Sequence, residues 1–350
     1  MPMNVERYLS SLTEQAARKR TAGAVPGSAE RRARLGAAFS RLLGEFPDEK
    51  EELQPRLLER RECDGYMREH IEIATLEGLR MKMYVLVPDR PATDPAPAVI
   101  ALHGHGYGCR EIVGLEPDGT ERAGNPGLHK DFAVSLVREG YVVAAPELMG
   151  FGERRLAEDK EEGPGKNSCF RLAASLLLTG RTLAGLRIRE TARAIDYLQG
   201  RSGVDPNRIA IMGISGGGLV AGFTAALDPR IRCAVVSGYA SLFEESILAR
   251  NHCLDNYIPG ILLEAEMPEL LGLIAPRGLF LESGDTDRVF PRGPAEKAYG
   301  ELLSLYAAAG APDAVLCDFF LGGHEMNGGP ALAWLRRQLT EPADIKGGEA

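Results

Sequence analysis

Arg208-Ile209-Ala210-Ile211-Met212-Gly213-Ile214-Ser215-Gly216-Gly217-Gly218-Leu219-Val220-Ala221-Gly222-Phe223-Thr224-Ala225-Ala226-Leu227 is the stretch from which the fold can be read. Ile209 to Met212 is a short unbroken apolar run, suited to a central parallel strand buried on both faces. From Gly217 on, Ala and Leu predict a helix. Between the two, Gly213-Ile214-Ser215-Gly216-Gly217 reads G-x-S-x-G. A strand that turns so sharply into a helix needs small flanking residues. It also holds the serine in a strained conformation, with the hydroxyl in the open. The helix N-terminus behind it offers unpaired N–H groups and partial positive charge to a developing oxyanion. A Gly-rich turn without chemistry is the plain alternative; the place between strand and helix favours a nucleophile.

Bulk properties narrow the classes. The 350 residues are 44% hydrophobic and 26% charged, an ordinary globular composition with ample core material. A formal net charge of -8 argues against nucleic acid as a partner, since that binding needs a basic face. No apolar run is long enough for a membrane span. Met1-Pro2-Met3-Asn4-Val5-Glu6-Arg7 leads into no apolar signal region, so a cytoplasmic location is expected. Six cysteines without regular spacing suit reduced thiols better than a disulfide framework.

Residues 1–62 are polar and helix-prone, with helical segments expected near 4–20 and 29–60 and breaks at Pro47 and Pro55. Leu35, Phe39, Leu42 and Leu43 recur at helical spacing, so this extension must bury them against something. It is expected to pack on its own catalytic domain and to contribute to a homodimer contact. His70–Ala74 and Met81–Val85 alternate with period two around Gly78, which predicts an antiparallel hairpin at a sheet edge. Apolar strands follow at Val99–Leu102, Tyr141–Ala145, Ile209–Met212, Cys233–Val236, Gly278–Leu281 and Val315–Cys317, with helices between them. The pattern predicts a mostly parallel sheet covered on both faces. The catalytic domain is placed at 63–342, and residues 343–350 form a tail. Long insertions near 104–130, 146–181 and 238–275 leave the C-terminal ends of strands, where such sheets bind ligands.

A serine hydroxyl is too weak a nucleophile alone and needs a base, oriented by a carboxylate. On a sheet topped by such an elbow the chain order is Ser, acid, His. Of the six histidines, only His324 lies beyond the last strand, in Leu321-Gly322-Gly323-His324-Glu325. The acid should follow Leu279-Phe280-Leu281, where Asp285 and Asp287 both stand. Asp287 is preferred: it lies further out, whereas Asp285 directly follows Gly284 and suits a turn. Backbone N–H groups of Gly216 and of His105, in Leu102-His103-Gly104-His105-Gly106, are assigned to the oxyanion hole. His103 is read as structural. A metal reading of His103 and His105 is set aside, because nothing supplies further ligands at a recognisable spacing. Gly163-Pro164-Gly165-Lys166-Asn167 fails as a phosphate loop, and no cofactor or metal is expected.

His103-Gly104-His105-Gly106, Gly213-Ile214-Ser215-Gly216-Gly217, Gly284-Asp285-Thr286-Asp287 and Gly323-His324-Glu325 together resemble the α/β-hydrolase superfamily. More narrowly, the chain looks like its dienelactone-hydrolase-like and acetyl-xylan-esterase-like branch. Asn256-Tyr257-Ile258-Pro259-Gly260 and Pro146-Glu147-Leu148-Met149-Gly150 share in that likeness. Dienelactone hydrolases use a cysteine where this chain has Ser215, which favours ester hydrolysis. The resemblance implies an α/β-hydrolase fold and a serine carboxylesterase for small acyl, including acetyl-sugar, esters. Its triad would be Ser215, Asp287 and His324. A peptidase or thioesterase of the same fold, or a non-catalytic binding protein, are the rival readings.

Overall fold

The computed structural model describes residues 4–21, 27–47, 51–76 and 78–340. The strands are β1 (Arg56–Cys63), β2 (Tyr66–Ala74), β3 (Arg80–Pro88), β4 (Ala96–Leu102), β5 (Val142–Pro146), β6 (Val204–Ile214), β7 (Ile231–Ser237), β8 (Gly278–Gly284) and β9 (Val315–Phe320). Helices α1 (Val5–Thr21) and α2 (Ala29–Leu43) precede them. Among the strands run α3 (Phe132–Arg138), α4 (Ala157–Glu161), α5 (Cys169–Leu178), α6 (Leu183–Gln199), α7 (Gly216–Leu227), α8 (Ile261–Glu264), α9 (Met267–Gly272) and α10 (Arg292–Ala308), and α11 (Gly329–Thr340) follows. All strands join one sheet in the order β1-β2-β3-β5-β4-β6-β7-β8-β9. The first three and β5 pair antiparallel; from β5 through β4 to β9 the pairing is parallel.

Period-two alternation in the central strands sorts their side chains onto two faces. Ala98, Ile100, Ile209, Ile211, Ala234 and Val236 enter one core, with residues of α2, α6, α7 and α9. Val99, Ala101, Ala210, Met212, Cys233 and Val235 enter the other, with α3 and α11. Strands buried on both faces need unbroken apolar sequence, which is why they were readable. The α/β-hydrolase fold expected from sequence is the fold observed.

The N-terminal expectation needs correction. The second helix stops at Leu43 and does not run to residue 60; residues 56–63 form the edge strand β1. The hairpin of β2 and β3, with His70 opposite Tyr84, therefore lies one strand inside the edge. Leu35, Phe39 and Leu43 of α2 are buried against the protein's own core, and Phe39 meets Phe223 of α7 edge-on at 5.0 Å. Each such burial stabilises by about 1.5–3 kcal/mol. Helix α1 is tied down more lightly: Arg20 Nη1 donates to the Leu262 carbonyl at 2.9 Å, while Val5, Leu9 and Leu12 remain exposed. The tail expected at 343–350 lies outside the described residues. Among the described residues no helix is long and apolar enough to cross a membrane.

Candidate active site

The turn from β6 into α7 carries Ser215 as helix N-cap at φ 56, ψ -124, the positive-φ region that L-residues seldom occupy. Two glycines permit it. A Cβ on Gly213 would come within 2.2 Å of the Gly217 carbonyl oxygen, and one on Gly217 within 2.2 Å of the Leu102 oxygen. The elbow thus packs backbone on backbone, against itself and against the end of β4. Ser215 N–H donates to the Ser237 carbonyl at 2.9 Å, locking the strained residue to β7. Ser215 is largely buried, at 8% exposure.

His324 and Asp287 come together over the neighbouring strand ends. His324 Nδ1 lies 2.8 Å from Asp287 Oδ2. The other carboxylate oxygen accepts the N–H groups of Val289 at 2.6 Å and Phe290 at 2.9 Å. Those bonds aim one oxygen at the imidazole and keep the buried carboxylate satisfied. The ring rests on Gly238, where a Cβ would stand 3.1 Å from His324 Cε1. Phe290 stacks beside it, with ring centroids 6.0 Å apart. Asp285 is elsewhere: its Oδ1 accepts the Gly322 N–H at 3.0 Å and holds the loop before His324.

The loop after β4 is fixed from below by two histidines. His103 is fully buried; its Nδ1 meets the Gly104 carbonyl at 2.8 Å, and its Nε2 accepts the Leu148 N–H at 3.2 Å. His129, given no role from sequence, accepts the Gly104 N–H at Nε2 (2.9 Å) and pairs through Nδ1 with Glu111 at 2.6 Å. Burial pushes the His129 imidazole down against the pull of Glu111, which keeps the accepting nitrogen free of a proton. Gly104 N–H is thereby occupied. For the N–H groups of His105 and of Gly216, in the first turn of α7, no partner is seen among the described residues. The sequence could not have revealed His129, because its partners lie far along the chain.

The His105 ring, like that of His103, packs edge-on against Phe151, at 5.1 Å between centroids. It gathers with Cys169, Cys253 and Asp255, whose donor atoms all lie within 4.8 Å of one another. The cluster sits against the elbow: a Cβ on Gly216 would meet the His105 ring at 3.2 Å and Asp255 Oδ2 at 3.7 Å. No spacing in the sequence announces the group, since its members come from three separate connections. A cavity of about 510 Å³ between α2, α6 and α7 holds none of the predicted site residues.

Glu282, at the end of β8, adds a titratable group behind His324. Its Oε1 accepts the Gly328 N–H at 2.7 Å, and burial pushes its carboxyl up to about 7 from an ordinary 4.5. A raised folded-state value means that its stabilising contribution is complete below pH 4.5 and lost as pH rises through about 7. Glu282→Gln keeps an acceptor oxygen for Gly328 but cannot ionise. Urea midpoints at pH 5 and pH 8 should show the wild type losing roughly 3 kcal/mol more than the variant across that interval. Parallel losses in the two proteins would show that Glu282 is not the titrating group.

Residues 27–300 match the Abhydrolase family. The chain belongs to that family. YtaP of Bacillus subtilis (strain 168), a protein named as a hydrolase, is 32% identical over 294 residues, spanning 81% of this chain and 90% of YtaP. Among solved structures, one named for the acetyl xylan esterases from Bacteroides fragilis NCTC 9343 superposes with a TM-score of 0.75 at 19% identity. It covers 91% of this chain and 83% of the other. The glucuronoyl esterase of Solibacter usitatus gives 0.66 at 17% identity, covering 89% of this chain and 92% of its own. At these identities the superpositions speak for the fold. Membership of the Abhydrolase family places the chain among hydrolase enzymes.

Proposed function

We propose that this Abhydrolase member is a serine carboxylesterase acting on small acyl esters, acetylated sugars among them. The observations that carry the reading are the Asp287–His324 pair, 2.8 Å between Oδ2 and Nδ1, and a serine strained into an elbow at the end of β6. Ser215 Oγ attacks the ester carbonyl carbon while His324 takes the hydroxyl proton. Asp287 holds the imidazole tautomer and stabilises the imidazolium. The backbone N–H groups of His105 and Gly216 receive the oxyanion. Collapse of the tetrahedral intermediate expels the alcohol, which leaves with the proton from His324. Water then attacks the acyl-enzyme, its proton passing through His324 back to Ser215 as the acid is released. This chemistry draws only on side chains and backbone.

The names of the superposing esterases support the choice of substrate class. The test is a panel of p-nitrophenyl esters of increasing acyl length, acetylated xylo-oligosaccharides, a peptide amide and an acyl thioester. Short esters and acetylated sugars should turn over fastest. Preference for the amide or thioester would replace the esterase reading, and no turnover without phosphonate labelling would leave a binding protein. A cytoplasmic location belongs to the same proposal and suits unpaired cysteines such as Cys109 and Cys233. So does a homodimer through the exposed side of α1, which light scattering would detect.

A further inference from the structure

Two thiols, an imidazole and a carboxylate have no apolar reason to share a buried corner. His105 comes from the loop after β4, Cys169 opens α5, and Cys253 and Asp255 lie in the connection after β7. Cys169 and Asp255 are almost completely buried, at 0% and 1% exposure. His105 Nε2 is buried with no hydrogen-bond partner among the described residues, a cost unless something else takes its lone pair. The surroundings orient the other donors. Arg187 reaches Asp255 Oδ2 through Nη1 at 2.5 Å and Cys169 Sγ through Nη2 at 3.1 Å. Asn256 Nδ2 donates to Asp255 Oδ1 at 2.8 Å.

We propose that His105, Cys169, Cys253 and Asp255 bind one divalent ion of the zinc class. Two sulfurs, one nitrogen and one oxygen form a tetrahedral donor set for such an ion, and the thiolates disfavour calcium and magnesium. Bonds of about 2.0–2.3 Å place tetrahedral donors roughly 3.3–3.8 Å apart, so the cluster needs to contract by only about 1 Å. Charge also balances: a dication plus the Arg187 guanidinium equals two thiolates plus one carboxylate. Four protein donors make a closed, structural site rather than one open to water. Its position gives it a task. It would join three connections at one point and hold the His105 backbone beside Gly216, the two groups assigned to the oxyanion hole. That consequence for turnover rests on the esterase reading; metal binding itself does not.

The experiment uses the full chain, tag-free, reduced and stripped with a chelator, then titrated with Co(II). One equivalent should produce thiolate-to-cobalt charge-transfer absorption and the visible bands of a tetrahedral ion. Zn(II) should displace the cobalt and raise the melting temperature. The double variant Cys169→Ser, Cys253→Ser should lose the bands, whereas Cys63→Ser, Cys317→Ser should keep them. Far-UV circular dichroism checks that each protein is folded; if the first variant is not, the wild-type spectrum decides. None of these readouts needs turnover, so a failed esterase reading leaves them intact. Folded, reduced wild type without charge-transfer absorption would overturn the proposal. So would bands that survive the double substitution, or a Cys169–Cys253 disulfide by mass in protein purified without reductant.

Discussion

Ser215→Ala is expected to lower kcat by on the order of 10⁶ and to abolish labelling by a fluorophosphonate. The loss is large because, on the proposed mechanism, the hydroxyl oxygen is the atom that becomes covalently bound to the acyl group. Alanine at φ 56 is as strained as serine, so the variant should keep close to wild-type stability and report chemistry alone. Ser215→Gly makes the complementary measurement. It should be equally inactive, yet more stable by about 1–3 kcal/mol, since glycine occupies this backbone region without penalty. Active, correctly folded Ser215→Ala protein would remove the serine from the mechanism. A Gly variant no more stable than the Ala variant would show that the elbow stores no strain.

Asp287→Asn should reduce kcat by roughly 10⁴, because the amide can present an N–H to the imidazole and favour the wrong tautomer. Asp285→Asn should cost far less, because Asp285 accepts the Gly322 N–H and does not touch His324. An asparagine oxygen can accept that bond equally well. The contrast between the two is sharper than either alone, since both residues sit in the same loop. Steady-state kinetics on the two proteins, with folding checked, decide the matter: a larger loss at Asp285 would reverse the assignment.

Most of the architecture could be read from period and apolar runs, because strands buried on two faces tolerate little else. Strand β1 escaped for the opposite reason. Arg56-Leu57-Leu58-Glu59-Arg60-Arg61-Glu62-Cys63 is exposed along nearly its whole length and is held by backbone pairing with β2. No hydrophobic pattern is required of such a ribbon, and charged side chains protect an edge from unwanted pairing. At the site, local chemistry was legible: the elbow, the glycine-flanked His324 and the two aspartates each carry their signal in adjacent residues. The supports were not. His129 and Glu111 below Gly104, and Cys169, Cys253 and Asp255 beside His105, meet only after the long connections fold back. Spacing in sequence says nothing about such meetings.

Ser215 follows β6, Asp287 follows β8 and His324 follows β9, so the candidate site is spread over the parallel half of the sheet. Parallel pairs close only through long crossovers, and chains dominated by such distant contacts fold slowly. Growth on the ribosome runs from N- to C-terminus. The elbow and its flanking strands are therefore made well before the imidazole that would activate the serine. Until β8 arrives, β7 presents an open edge on which another nascent chain could add. On the proposed mechanism, unfinished chains would carry the serine without its base and stay silent towards the acyl groups around them. Activity, on that mechanism, would therefore await β9 and the loop that carries His324.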